Sequence, residues 1–86
     1  MPHGQRFVRE INERIEQLNE EWALDGSVAI LCECGRTGCD QRVELEQALY
    51  QAVLAVPNRY VVRDGHQGDG DTIVERNDGY LVAEPA

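Results

Sequence analysis

The residues whose types and spacing suit chemistry lie in one cluster, residues 32–39 with the sequence CECGRTGC. Cys32, Cys34 and Cys39 are all the cysteines of the chain, and their Cys-x-Cys-x4-Cys spacing surrounds glycine and arginine residues that indicate a turn and not a buried core. Three thiolates and one imidazole make a complete tetrahedral shell for zinc. The cluster therefore predicts a structural metal site that uses every thiol in the protein.

The fourth ligand must come from another part of the chain, and the sequence offers three sources. His66 lies in a Gly/Asp-rich loop, where Gly65 and Gly68 give the backbone freedom to fold back onto the cysteines. His3 is the other histidine, and a carboxylate such as Asp40 is also a suitable zinc ligand. We expect His66 to complete the shell, with His3 and Asp40 as the alternatives.

The elements that must position these ligands follow from the hydropathy pattern. Apolar residues recur at steps of three and four through residues 5–22, which predicts an amphipathic helix with the stripe Phe7, Ile11, Ile15, Leu18 and Trp22. Residues 28–45 alternate about a Gly-containing turn and predict a hairpin, and residues 46–56 predict a second, short helix. Residues 59–84 read as three strands, the last two joined by a strong hairpin turn. The chain is thus predicted to be one α+β domain, residues 1–86, with a small antiparallel sheet of two hairpins plus a strand, two helices and a zinc staple.

One register of the hairpin accounts for both its apolar pattern and its thiols. Pairing across a four-residue turn sets these residues opposite each other: Cys34 and Cys39, Cys32 and Gln41, Ile30 and Val43, Val28 and Leu45. Side chains alternate with a period of two, so all eight project from the same face. Opposed Cβ atoms lie roughly 4.5–5.5 Å apart, and sulfurs around zinc are about 3.7 Å apart, so thiols at the tip can reach one ion. The other face, which carries Glu33, reads as mostly polar.

Length and charge limit the classes of function. An 86-residue domain buries a thin core, and small domains commonly add a metal to reach useful stability. The net charge of −8 opposes binding to nucleic acid, because affinity there comes mostly from neutralising phosphates. The sequence shows neither a signal peptide nor an apolar run of about 20 residues, so no membrane association is expected. Reduced thiols favour the cytoplasm.

Several segments together resemble an uncharacterised family of small bacterial proteins carried largely by high-GC genomes. The resemblance covers nearly the whole chain, and its segments are 7–15 (FVREINERI), 32–35 (CECG), 39–43 (CDQRV), 57–60 (PNRY), 65–66 (GH) and 74–82 (VERNDGYLV). The Cys-x-Cys-x4-Cys…Gly-His combination is its most specific part, and it implies that Cys32, Cys34, Cys39 and His66 are the metal-site positions. The turn 35–38 departs from the more acidic, Pro-containing turn of that family. The family implies a site and no activity.

Three classes of function are compatible with these residues. We expect a non-enzymatic zinc domain that binds another protein or regulates one, because a shell of four protein ligands leaves no open position for a substrate. An iron–sulfur or redox protein could use the same Cys3His set, although its spacing differs from that of the Cys-Asp-Gly-Ser-His iron–sulfur family. An acidic mimic of nucleic acid is the third class, but helix 5–22 mixes Arg among its Glu residues.

The stripe of helix 5–22 has two interpretations that bear on partners. A small sheet must cover one face, and packing of the stripe on the sheet is the expected arrangement. The stripe also fits the spacing of a helix seam, which predicts a homodimer through this helix.

Overall fold

The computed structural model describes residues 4–22, 26–36 and 38–85, and in these ranges it contains two helices and five strands. They follow in the order α1 (Gly4–Trp22), β1 (Ser27–Leu31), β2 (Arg42–Glu46), α2 (Gln47–Leu54), β3 (Tyr60–Arg63), β4 (Thr72–Asn77) and β5 (Tyr80–Glu84). This order confirms the α+β class predicted from the pattern. Neither helix of the described ranges combines the length and the apolar character that a bilayer span requires.

The strands form two antiparallel sheets, whereas the sequence pattern suggested one. One sheet pairs β1 with β2, and the other has the order β3-β5-β4. Strand β5 is the centre of the three-stranded sheet, and its residues 80–83 are all buried. A strand with this burial needs cover on both faces of its sheet, which is why β5 reads as a continuous apolar run.

The predicted register of the first hairpin is confirmed from Val28 as far as Cys32. Val28 pairs with Leu45 and Ile30 with Val43, and the Cys32 N–H donates to the carbonyl of Gln41 at 2.9 Å. The regular strands are shorter than predicted, because β1 ends at Leu31 and β2 begins at Arg42. All three cysteines therefore lie in the connection between the strands and not on the strands themselves.

The apolar core divides between the two faces of the three-stranded sheet. The larger cluster joins both sheets and α2, and its buried residues are Val28, Ile30, Val43, Leu45, Tyr50, Val53, Val61, Tyr80 and Val82. The smaller cluster contains Cys32, Val62, Leu81 and Ala83, with Cys34 and Cys39 packed against it. Alternation along β3 and β5 sends Val61 and Val82 to one face and their neighbours to the other. The cysteines therefore complete the cover of the second face.

Helix α1 packs with its polar side inward, so the expectation that its apolar stripe covers a sheet is wrong for most of the stripe. Asn12 is 0 % exposed and Glu16 is 6 % exposed, whereas Phe7 is 64 % exposed and Leu18 is 57 % exposed. Ile15 alone among the described stripe side chains packs against the larger core cluster. The side chain of Trp22 lies outside the described residues.

The free edge of β1 explains why the polar side of α1 is buried. Strand β1 pairs with β2 on one edge only. On its other edge the Asn12 amide donates to the carbonyl of Leu31 at 2.8 Å and accepts from the Leu31 N–H at 2.9 Å. A side-chain amide thus replaces a neighbouring strand, because buried backbone groups need partners. One turn further on, the carboxylate of Glu16 accepts from Gln47 at 3.1 Å and from Gln51 at 2.8 Å.

Replacing Asn12 with alanine tests this arrangement. The substitution leaves the Leu31 N–H and carbonyl without partners, and buried unsatisfied groups of this kind cost about 1–3 kcal/mol each. We expect the free energy of unfolding, measured by urea denaturation, to fall by about 2–4 kcal/mol. Gln17→Ala on the exposed side of the same helix is the control and should change it by less than about 0.5 kcal/mol. Equal stability of the two variants would contradict the role of Asn12.

Candidate metal centre

The four predicted ligands lie where the ends of two strands from different sheets meet. Cys32 directly follows β1, and the next residue, Glu33, donates its N–H to the carbonyl of Val61 in β3 at 2.8 Å. This bond sets the cysteine turn beside β3. His66 comes from the tight turn after β3, where its N–H donates to the carbonyl of Arg63 at 2.9 Å. The two sheets therefore bring together residues that are more than 25 positions apart in the sequence.

The distances from the His66 imidazole to two of the sulfurs fit a single tetrahedral ion. One ligand atom from each of Cys32, Cys34, Cys39 and His66 lies within 4.8 Å of all the others. The Nδ1 atom of His66 is 3.6 Å from the sulfur of Cys32 and 3.6 Å from the sulfur of Cys39. Zinc–sulfur bonds of about 2.3 Å and zinc–nitrogen bonds of about 2.0–2.1 Å at the tetrahedral angle require a separation of about 3.6 Å. The donor set can therefore hold a metal ion.

Of the two alternative fourth ligands, the structure describes only Asp40. Asp40 is exposed and is not a member of the cluster that the described residues form. His3 lies outside the described residues. The four side chains that converge are those that the sequence analysis favoured, and His66 approaches the thiols through Nδ1.

The environments of the thiols differ. Cys32 is 3 % exposed, and burial raises the pKa of its thiol to about 12, although the Arg63 N–H donates to its sulfur and opposes the shift. Burial also acts against ionisation of Cys39. Hydrogen bonds from the Gln41 backbone and from the other two thiols outweigh it, so the pKa of Cys39 is lowered. Without a cation, Cys32 therefore holds its proton more strongly than Cys39 does.

The chemistry of the donor set suits a metal cation. All three cysteines are free thiols, and a metal ligand must be a thiolate. Three thiolates together in a partly buried pocket repel each other and lose solvation, and a bound cation reverses both costs. The Arg63 N–H that bonds the sulfur of Cys32 at 3.3 Å is the kind of surrounding hydrogen bond that orients a ligand and stabilises its charge.

The residue between the first two cysteines is the most heavily bonded carboxylate of the described chain, and the sequence analysis did not identify it. Glu33 is 0 % exposed. Arg9 donates to both of its oxygens, at 2.9 and 3.0 Å. Asn12 donates at 3.0 Å, the hydroxyl of Tyr50 at 2.5 Å and the backbone N–H of Val61 at 2.7 Å. Five donors from α1, α2 and β3 thus converge on one side chain.

The partners of Glu33 are themselves held in place. The Arg9 guanidinium also donates to the carbonyl of Arg59 and lies over the ring of Tyr60, 4.7 Å from its centroid. Burial lowers the pKa of Arg9, but its hydrogen bond with Glu33 and the charge of Glu33 outweigh this, so the pKa is raised. Burial and the adjacent Glu33 raise the pKa of Tyr50. Arg9 stays cationic and Tyr50 stays a hydroxyl donor over the physiological range.

The start of α1 touches the cysteine turn backbone to backbone. A Cβ atom added to Gly4 would lie 2.5 Å from the carbonyl oxygen of Gly35. Gly35 has a φ of +73°, and a Cβ atom there would lie 2.6 Å from the backbone nitrogen of Gln5. Both glycines are therefore needed for the helix to lie against the turn.

Sequence reasoning missed Glu33 because strand alternation placed it on the polar face of the hairpin. Most of that face is exposed, as at Arg42 and Glu44. Glu33 lies beyond the end of β1 and meets the inward side of α1 instead. The inward residues Arg9, Asn12 and Glu16 follow the same steps of three and four as the apolar stripe. This second, polar stripe was the sequence signal that could have indicated a buried partner for the helix. A carboxylate flanked by two ligands, together with an arginine and an asparagine at helical spacing, indicates a buried network.

Comparison of the chain with protein-family models, with curated proteins and with solved structures gives no match. The resemblance to small high-GC bacterial proteins therefore stays a prediction, and the function must be argued from the geometry of the site.

Substituting Glu33 with glutamine tests the network without changing its shape. The amide offers one acceptor oxygen where the carboxylate offers two, and it sets an NH2 group against existing donors. Arg9 is then buried without its counter-ion, and breaking a buried pair costs about 3–5 kcal/mol. We expect the free energy of unfolding of the metal-loaded protein to fall by at least about 3 kcal/mol in urea. Glu44→Gln, on the exposed face of β2, is the matched control. A similar stability for both variants would contradict the network.

Proposed function

We propose that this chain is a non-enzymatic zinc-binding domain of the cytoplasm that binds another protein and so regulates it. One zinc ion would be held by Cys32, Cys34, Cys39 and His66. The observation that carries the proposal is the convergence of all the thiols and one imidazole within 4.8 Å. The convergence depends on contacts between two sheets, so it is a property of the fold and not of the local sequence.

The distances favour a single ion over an iron–sulfur cluster. A two-iron cluster holds its four ligands in two pairs on separate iron atoms, so the ligand atoms do not share one centre. Here the imidazole nitrogen is 3.6 Å from two different sulfurs, which fits four ligands on one ion. A zinc protein is also colourless, whereas a cluster absorbs visible light.

The proposed zinc is structural. A shell of four protein ligands leaves no position for a substrate or for an activated water molecule. The thiols that could act as nucleophiles are themselves the ligands. Bound zinc would join the end of β1, the cysteine turn and the loop after β3, and so tie the two sheets together. In a domain with a core this thin, metal binding supplies folding free energy.

Elemental analysis of the purified protein tests the proposal. We expect about one zinc per chain, with Cys34→Ser and Cys39→Ser losing most of the metal, because a serine hydroxyl is a poor zinc ligand. His66→Ala should lose less, since water can occupy the vacated position of a loop ligand. Gln41→Ala, an exposed side chain in the same connection, is the control and should keep the full content. Protein that folds without metal and exposes three freely titrating thiols would contradict the site.

The same preparations test the partner. Affinity capture from the native cytoplasm should recover a binding protein with the wild type and with Gln41→Ala. It should recover much less with Cys34→Ser. Equal recovery of the binding protein with all three samples would show that its binding does not depend on the zinc site.

The affinity for zinc should depend on pH. Burial holds the pKa of the metal-free Cys32 thiol at about 12, so the thiol is protonated at neutral pH and its proton must leave when zinc binds. Each released proton changes the apparent dissociation constant tenfold per pH unit. Between about pH 8 and pH 6 we therefore expect the dissociation constant to rise at least tenfold per unit, measured by competition with a chelating dye. An affinity that stays constant over this range would show that no thiol loses a proton on binding.

A further inference from the structure

The face of α1 that points away from the domain is apolar. Phe7 is 64 % exposed, Ile11 is 36 % exposed and Leu18 is 57 % exposed. They belong to a shallow open groove of about 380 Å³, whose lining is Phe7, Glu10, Ile11, Arg14, Ile15 and Leu18. A contiguous apolar surface of this kind, bordered by charges, is typical of an interaction site.

The rotation of the helix that exposes this face is fixed. Arg9 and Asn12 are bonded to the buried Glu33, and Glu16 is bonded to two glutamine side chains of α2. Turning the apolar stripe inward would break all of these hydrogen bonds, and the apolar side chains could not form new ones in their place. The polar contacts therefore keep the stripe exposed to solvent, where it is available to a partner.

We propose that this face binds the same face of a second copy of the chain, with the two α1 helices antiparallel about a two-fold axis. The charges that flank this face indicate which partner it binds. Glu10 and Arg14 line the same groove one helical turn apart. The ion pairs of the described chain are Arg9–Glu33 and Arg59–Glu84, so neither Glu10 nor Arg14 forms a close ion pair among the described residues and both can pair with a partner.

An antiparallel copy supplies the complementary order of charges. A two-fold axis perpendicular to both helices brings each flank of the helix against the same flank of its copy, with the direction reversed. Glu10 then faces Arg14 of the second copy, and Arg14 faces its Glu10. A parallel pair would set this flank against the apolar flank near Val8 and leave all four charges unpaired.

The same pairing matches the apolar side chains. Placing Glu10 level with Arg14 of the second copy sets the axis at the level of residue 12, near the middle of the 19-residue helix. Phe7 then lies within one residue, about 1.5 Å along the axis, of Leu18 of the second copy. The two Ile11 side chains lie on either side of the axis, about 3 Å apart along the helices. One operation therefore pairs the charges and both ends of the stripe.

Other occupants fit less well. The net charge of −8 opposes binding to an anionic membrane surface. A foreign helix would need the charge order that the chain already provides for itself. One helix face is a small interface, so we expect a weak dimer whose population depends on concentration. This inference names a partner for the interaction role proposed above, but α1 is held by Glu33 and not by a metal ligand. Failure of the dimer therefore leaves the zinc site untouched.

Sedimentation equilibrium of the zinc-loaded protein tests the proposal with three samples beside the wild type. Glu10→Arg and Arg14→Glu should each raise the dissociation constant of the dimer at least about tenfold, because two attractive contacts become two repulsive ones. A mixture of the two variants should form a heterodimer again. One chain then carries two positive charges on the flank and the other two negative ones, so every contact across the axis is attractive.

The controls make the same two types of charge change at positions outside α1. Glu75→Arg and Arg76→Glu alter the exposed side of β4 by the same amounts and should dimerise as the wild type does. The circular dichroism and zinc content of every variant should match the wild type, since the changed residues are exposed. A wild type that stays monomeric up to about 1 mM would overturn the proposal, with or without binding to vesicles or foreign helices. A mixture no more dimeric than its components would also overturn it.

Discussion

A single buried carboxylate organises this domain. Glu33 lies between two of the three cysteines, and its burial is tolerated only because five donors converge on it. Those donors belong to α1, α2 and β3, so the one side chain fixes how three elements meet. Removing any strong partner would leave a charge in an apolar interior, which is among the most costly changes a small protein can undergo.

Two features of the molecule follow from this constraint. Because Arg9 and Asn12 must face Glu33, the apolar stripe of α1 faces outward and becomes available to a partner. Because the backbone of Glu33 pairs with Val61, Cys32 is held beside the end of β3 and within reach of the loop that carries His66. The network thus helps to position the candidate ligands, and the three cysteines pack over the second face of the three-stranded sheet. The Glu33 network and the thiol cluster are therefore adjacent, because Glu33 lies between Cys32 and Cys34 in the sequence.

Much of the fold was predictable because it depends on local periodicity. The order of elements, the register of Ile30 with Val43 and the choice of thiol ligands all follow from alternation, turn residues and spacing. The division into two sheets was not predictable, since no local pattern says which strands share an edge. The rotation of α1 was predicted wrongly because hydropathy identifies an apolar stripe but does not weigh it against a polar one. Here the polar stripe satisfies the edge of β1 and the charge of Glu33, and these bonds outweigh the burial of Phe7 and Leu18.

X-ray absorption at the zinc edge of the purified protein tests whether the fold gathers three thiolates and one imidazole around one zinc ion. We expect a first shell of three sulfur atoms at about 2.3 Å and one nitrogen atom at about 2.0 Å. The absorption spectrum should show no second metal atom near the zinc. In His66→Ala, the oxygen of a water molecule should replace the nitrogen while the three sulfur atoms stay. A shell with fewer than three sulfurs, or one dominated by oxygen, would contradict the assignment of the site.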